Sequence, residues 1–274
     1  MTGQKNTIAA ALERTTRSLA AVAYEEAAAQ ARLLVCAALG LRSTAALGAA
    51  VLDEMPGEAQ GRLDAAVQRR LSGEPVQYIL GEWEFMGLPF HVSGAALIPR
   101  QDTETLCEHA LAIIKKRGYS TLLDMCCGTG CIGISLAKLS GVKATLADIS
   151  PGCLELSARN AQLNGVDASF VLSDMFGSIE GVFDIITINP PYLTAADMRT
   201  LQPELKHEPG QALFGGEDGL DFYRRIKEQY GNRLAPNGAL MMECGIGQAQ
   251  NIIEMFGRGQ AVRDILGVER VIVI

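Results

Sequence analysis

The sequence predicts an α/β protein: a doubly wound sheet, preceded by a small helical bundle and a β-hairpin linker. Three observations lead there. Residues 6 to about 80 are rich in Ala and Leu at helical spacing, as in Ala28, Leu33, Leu34, Ala37 and Leu41, which lays an apolar stripe along one helix face. From Arg100 onward, short apolar runs alternate with helical stretches, the order that builds a sheet covered by helices on both faces. Several of those runs end in an acid or an Asn, and ligands of doubly wound sheets collect at the carboxyl ends of the strands.

The helical bundle is expected over residues 1–82, broken at Gly40, Pro56 and Gly73, because Gly and Pro interrupt helical patterns. Residues 83–99 form the linker, where strand-like alternation surrounds Gly87 and Gly94 as in a hairpin. The sheet domain is expected over residues 100–274. Its strands are read at Thr121–Met125, at 143–147 ending in Asp148, at 170–176, at Phe183–Ile188, at 239–242 and at 270–274. A turn of small residues at 126–133 opens a helix over 134–139. No repeat or low-complexity tract appears, although the first domain is Ala-rich.

Asn189-Pro190-Pro191-Tyr192 directly follows the apolar strand Phe183–Ile188. The pattern suits a site that holds a planar nitrogen for methylation. Such a nitrogen is a poor nucleophile, because its lone pair is delocalised into the neighbouring carbonyl or ring, so its N–H groups must be fixed. Asn189 offers a side-chain carbonyl, and Pro190 a backbone carbonyl on a chain stiffened by two fixed φ angles, Pro191 supplying the second. Tyr192 offers a flat face that stacks on a planar group and excludes water. All four are expected to bind substrate, and Asn189, Pro190 and Tyr192 to catalyse by orientation. A Pro-rich turn after a strand has the same composition.

Cys126-Cys127-Gly128-Thr129-Gly130 has the form of a cofactor loop, since small residues bring backbone N–H groups close to a ligand at a helix N-terminus. Its glycines fall at 128, 130 and 133, and a pyrophosphate-binding loop stays open on this segment alone. Asp148 ends the next strand, where an acid can accept two hydrogen bonds from ribose hydroxyls. With Ser150 it is also a good cap for the helix that Pro151 introduces. Asp174 suits an adenine amino group, with Met175 against the ring. Asn189 adjoins the same set.

Composition fits a soluble enzyme with a large core: 274 residues, 48% hydrophobic and 20% charged. No apolar run reaches the roughly 18 residues a bilayer span needs, and the start lacks a signal-peptide order, so a cytoplasmic location and no membrane contact are expected. Seven cysteines, an odd number with Cys126 beside Cys127, suit a reducing compartment rather than a disulfide framework. Metal binding by Cys126, Cys127 and Cys131 lacks C-x2-C spacing, and no metal is expected. His91, His109 and His207 are scattered, with no nucleophile pairing. A net charge of −7 with short basic clusters weighs against a nucleic-acid substrate.

In their order along nearly the whole chain, these motifs resemble the protein glutamine N5-methyltransferases of peptide chain release factors, the HemK-like family. They run from Gly73-Glu74-Pro75-Val76-Gln77-Tyr78-Ile79-Leu80-Gly81 through Leu97-Ile98-Pro99-Arg100, the Asp124 loop, Asp148, Ser173-Asp174-Met175-Phe176 and Asn189 to Tyr192, to Ala212-Leu213-Phe214-Gly215-Gly216-Glu217-Asp218-Gly219-Leu220. The resemblance implies a class I, Rossmann-like methyltransferase domain with a seven-stranded sheet whose last strand is antiparallel. It implies S-adenosyl-L-methionine as cofactor and the glutamine of a Gly-Gly-Gln loop in a release factor as substrate. The helical domain would recognise that partner, with Trp83, Phe85 and Phe90 either docking it or forming hairpin core. Arg100 would contact the cofactor or substrate entrance, or serve as a helix cap or in a salt bridge. A ribosomal-protein glutamine, an N6-adenine or an N2-guanine stay open as substrates, because the same geometry holds an exocyclic amino group. So does a non-catalytic cofactor-binding adaptor. Cys126-Cys127 replace a common Gly-Thr, Gln101-Asp102 a usual Pro-Glu, and Met175 a frequent aromatic; tuned cofactor affinity is expected from these departures.

Overall fold

The structure, a computed structural model, describes residues 6–41 and 43–274. It divides into two compact units, one of residues up to Gly81 with Pro203–His207, the other of Glu82–Gln202 with Glu208–Ile274.

The first unit is helical: α1 (Ile8–Leu19), α2 (Ala27–Leu39), α3 (Thr44–Ala50), α4 (Gly57–Leu71) and α5 (Val76–Leu80). Local chemistry sets the ends. Thr7 caps α1 by accepting from Ala10 N, and α2 stops at Gly40, whose φ of 68° closes the last turn as a left-handed C-cap does. Leu19, Leu34, Val35 and Leu63 fill the core. Within it lies Arg70, only 1% exposed, donating through Nε to Gln30 Oε1 at 2.8 Å. Its guanidinium also pairs with Glu204, which ties the short 3-10 turn Glu204–His207 to this unit. Sequence spacing gave no sign of that link, since 134 residues separate the partners.

The second unit opens with the hairpin β1 (Glu82–Phe85) and β2 (Leu88–His91). Met86 and Gly87 make its turn, with φ of 53° and 73°, the left-handed pair that two-residue hairpins favour. Phe85 and Phe90 are buried and meet edge to face at 6.2 Å. They are hairpin core, one of the two roles the sequence left open for them; Trp83 is half-buried. The sheet then follows as α6 (Gln101–Arg117), β3 (Thr121–Met125), α7 (Cys131–Ser140), β4 (Lys143–Asp148), α8 (Pro151–Asn164), β5 (Ala168–Leu172), β6 (Phe183–Ile188), α9 (Ala195–Arg199), α10 (Asp221–Gln229), β7 (Leu234–Glu243), α11 (Ala249–Phe256), β8 (Gln260–Arg263) and β9 (Glu269–Val273). Asn160 and Asn164 of α8 clamp the hairpin, the first accepting from His91 N at 2.7 Å and the second donating to Pro89 O at 2.9 Å.

The seven strands run in the order β5-β4-β3-β6-β7-β9-β8, with the first five parallel and β9 antiparallel to both its neighbours. Alternation sorts the core. Leu122, Ile185 and Met241 face one side, and Leu123, Ile186, Leu240 and Met242 the other, as period-two strands require. Two expectations are corrected here. The strand read over 170–176 ends at Leu172, because the chain turns at Met175 (φ 49°). The helix read from 134 begins at Cys131.

Candidate active site

Parallel packing brings strand ends to one edge of the sheet. β3, β4, β6 and β7 stop at Met125, Asp148, Ile188 and Glu243, and the residues at and beyond several of these ends line one cavity of the second unit. Its wall includes Cys126, Cys127, Gly128 and Thr129 after β3, Asp148 at the end of β4, Asp174 and Met175 after β5, and Asn189 and Pro191 after β6. Thr103 of α6, Phe222 and Arg225 of α10 and residues 95–100 also line it. Gly130, Pro190 and Tyr192 lie outside that lining.

The glycine turn is tightly determined. Gly130 takes φ 80° as it starts α7, and a Cβ there would sit 2.7 Å from Ile134 Cδ1 and 3.0 Å from Leu146 Cδ2. Its role is close packing of helix on sheet. Gly128 takes φ 54° and donates its N–H to Asp148 Oδ2 at 2.9 Å. Asp148 Oδ1 accepts from Ser150 N at 2.9 Å, while Ser150 itself caps α8 by accepting from Cys153 N. The acid therefore braces the loop, and each carboxylate oxygen keeps a lone pair for a further donor.

Cys126 and Met175 hold φ values of 55° and 49°. Left-handed backbone at a non-glycine residue costs of order 1–3 kcal/mol and gathers at ligand sites, where the surroundings impose it. Ser173 secures one of them by donating to Met175 O at 2.6 Å. Asp174 is mostly exposed and paired with Arg225 at 2.7 Å. Burial pushes the thiols up, Cys131 to about 12 and Cys126 higher, so both stay protonated at neutral pH and are poor nucleophiles or metal ligands. Arg100 pairs with the buried Glu208, which also accepts from Ile98 N at 2.9 Å. A salt bridge is thus Arg100's observed role, made at the cavity wall.

Two buried acids escaped sequence reasoning as site residues. Asp124, the last residue but one of β3, accepts from Gly133 N and from Thr187 Oγ1, both at 2.9 Å. It occupies an N–H group at the start of α7, one of those that the sequence left for a ligand. Burial raises its pKa to about 7 against those hydrogen bonds. Glu243, at the end of β7, is also raised to about 7 by burial, with Thr103, Arg270 and Tyr192 pulling the other way. Its Oε1 accepts from Tyr192 OH at 3.4 Å, and its Oε2 is buried with no hydrogen-bond partner among the described residues. Ile188 and Met242 pair across the strands, so Asn189 and Glu243 are the next residues of neighbouring strands. The visible signal was an acid inside or directly after an apolar run.

Within the Asn-Pro-Pro-Tyr turn, the Asn189 side chain donates through Nδ2 to Thr103 Oγ1 at 3.4 Å. Tyr192 is half-buried, with its hydroxyl on Glu243 and its carbonyl accepting from Gln248 Nε2 at 2.9 Å. Pro190 is buried.

A seven-stranded sheet with one strand reversed, a tight glycine turn after β3 and an acid ending β4 define the class I methyltransferase fold. A T. thermophilus 16S rRNA N2 methyltransferase, solved with AdoMet and guanosine, superposes with a TM-score of 0.51 at 17% identity, covering 70% of this chain and 48% of that one; the likeness is one of fold. Residues 10–81 match the PrmC N-terminal domain and residues 103–217 the methyltransferase small domain. Relatives named release factor glutamine methyltransferase are 39% identical in Geobacter sulfurreducens, over 97% of this chain and 95% of the relative, and 40% identical in Bradyrhizobium diazoefficiens, over 88% and 84%. The chain belongs to the release factor glutamine methyltransferase family, and is an enzyme of that family.

Proposed function

We propose that the enzyme methylates the side-chain nitrogen (N5) of the glutamine in the Gly-Gly-Gln loop of peptide chain release factors, using S-adenosyl-L-methionine. The observation that carries this reading is the convergence of Asn189, Gly128 and Asp148 on one cavity, in a chain similar over almost its full length to relatives of that name. When bound, S-adenosyl-L-methionine supplies a methyl group made electrophilic by a positively charged sulfonium. The donor set fits such a group. Asp148 has lone pairs for ribose hydroxyls. Thr129 Oγ1 is a buried cavity-wall atom without a partner among the described residues. Cys126, Cys127, Gly128 and Gly130 shape the turn, and Asp174 and Met175 flank the place an adenine would take.

Asn189 Oδ1 and the Pro190 carbonyl accept from the amide N–H groups, and Pro191 and Tyr192 hold the amide plane. These residues are orienters and not bases. An amide nitrogen becomes strongly acidic on gaining a methyl group, so its proton passes to water. Holding reacting atoms about 3–3.5 Å apart supplies a large share of the barrier reduction. The helical unit carries no catalytic constellation and serves partner recognition, and a translation-factor substrate implies a cytoplasmic enzyme. Labelled methyl offered with a purified release factor, ribosomal proteins and nucleic acid in separate reactions tests the reading. Label on the release factor is expected; label on nucleic acid alone overturns it.

A further inference from the structure

A side-chain amide presents a carbonyl on one side and an NH2 group on the other, so Asn189 can meet a substrate as acceptor or as donor. Only the acceptor orientation suits an N–H substrate. The cavity wall contains the group that decides. Asn189 Nδ2 lies 3.4 Å from Thr103 Oγ1, and Thr103 is buried at 2% exposure in the first turn of α6. A hydroxyl both donates and accepts, so Asn189 shows its NH2 group to Thr103 only while the Thr103 hydrogen points elsewhere.

Glu243 gives it somewhere to point. Its carboxyl is 2% exposed, Oε1 takes the Tyr192 hydroxyl at 3.4 Å, and Oε2 is the buried oxygen without a partner among the described residues. An unpaired buried carboxylate oxygen is costly, and Thr103 already favours the ionised form of this group. We propose that Glu243, acting through the Thr103 hydroxyl, is a positioning residue that turns the Asn189 carbonyl into the cavity as the acceptor for a substrate N–H. The proposal rests on the reading of Asn189 given above.

The charge state of Glu243 sets the direction of the chain. Ionised, it draws the hydroxyl hydrogens of Thr103 and Tyr192, and the Thr103 lone pair is left for Asn189 Nδ2. Protonated, it becomes a donor, the Thr103 hydrogen is released toward Asn189, and the opposite amide orientation gains. Charged and titratable neighbours are fixed around it. Arg270, paired with Asp102 at 2.7 Å, favours the ionised form and Asp102 opposes it. Tyr192, Tyr223, Cys244, Cys107 and Cys131 also face it, and burial pushes each of them up, so they stay neutral while Glu243 titrates near 7. Asp124, also near 7, touches Gly133 and Thr187 and not Asn189.

The test is the pH dependence of kcat and KM for methyl transfer to a release factor by wild type, Glu243→Gln, Thr103→Val and Thr103→Ser. S-adenosylhomocysteine affinity is measured by calorimetry alongside, and the carboxyl titration by infrared difference spectroscopy. Wild-type kcat is expected to rise through an inflection near 7 that coincides with a carboxyl signal which Glu243→Gln reduces to the share of Asp124. Glu243→Gln and Thr103→Val should each lose about tenfold in kcat and the inflection, the worth of one hydrogen bond. Cofactor affinity should stay within about twofold, a split that loss of structure would not give. Thr103→Ser keeps the hydroxyl and should keep the inflection. Transfer by wild type, with Thr103→Val or Glu243→Gln matching its kcat and profile, overturns the proposal alone. No transfer by wild type at any pH overturns the functional reading and this proposal with it.

Discussion

At Asn189 the loss of one side-chain carbonyl is expected to fall on turnover rather than on cofactor binding. Asn189→Ala should lower kcat by about a hundredfold while S-adenosylhomocysteine affinity changes little, because orientation of the nucleophile is what disappears; unchanged turnover refutes the role. The buried acids add a pH signature. Asp124 and Glu243 both titrate near 7 in the fold, against about 4 in an unfolded chain. A carboxyl with the higher pKa when folded binds its proton more tightly there. Its contribution to stability is therefore full below about 4 and lost as pH rises through 7. Melting temperature should fall between pH 5 and 8, less steeply in Glu243→Gln, and a rise across that range contradicts the assignment. Activity and stability thus move in opposite directions around neutrality.

Between elements, the fit of two loops decides where Asn189 sits. A Cβ at Gly215 would lie 2.7 Å from both Pro191 O and Tyr192 Cα, and one at Gly219 only 2.4 Å from Tyr192 O. These glycines let the 212–220 segment pack on the backbone of the Asn-Pro-Pro-Tyr turn. Gly215 needs no special φ, so Gly215→Ala is a steric test. It should cost about 1–3 kcal/mol in urea unfolding and displace the turn, lowering kcat with S-adenosylhomocysteine affinity retained; wild-type kcat would sink the idea. The elements themselves were unequally legible in the sequence. β3, β4 and β6 stand out as apolar runs with a polar residue near, at or just past their ends: Asp124, Asp148 and Asn189. β8 was missed because Gln260-Ala261-Val262-Arg263 is a short, half-exposed edge strand with no apolar run. Glu243 was missed as a site residue because its partners, Thr103 and Tyr192, come from α6 and the turn after β6, a convergence that only tertiary register creates. The Asn-Pro-Pro-Tyr turn, the glycine loop and Asp148 were readable because each needs a particular residue type at a strand end.

Across the whole molecule, two units share one chain, and a distant segment returns to the first. Arg70 carries that return through its ion pair with Glu204 and its hydrogen bond to Gln30. Removing it strands a buried Gln30 oxygen and an acid that keeps partial solvent contact, so Arg70→Ala should cost roughly 2 kcal/mol, discounted from a fully buried pair. Limited proteolysis near Pro203–His207 should accelerate in that variant, and an unchanged digestion pattern contradicts the tie. The most direct measurement is mass spectrometry of a release factor after incubation with the enzyme and S-adenosyl-L-methionine, alongside a copy whose Gly-Gly-Gln glutamine is alanine. One added methyl on that glutamine, and none anywhere on the alanine copy, is the predicted result. A methyl on the alanine copy, or on neither factor while the enzyme binds S-adenosylhomocysteine, contradicts it.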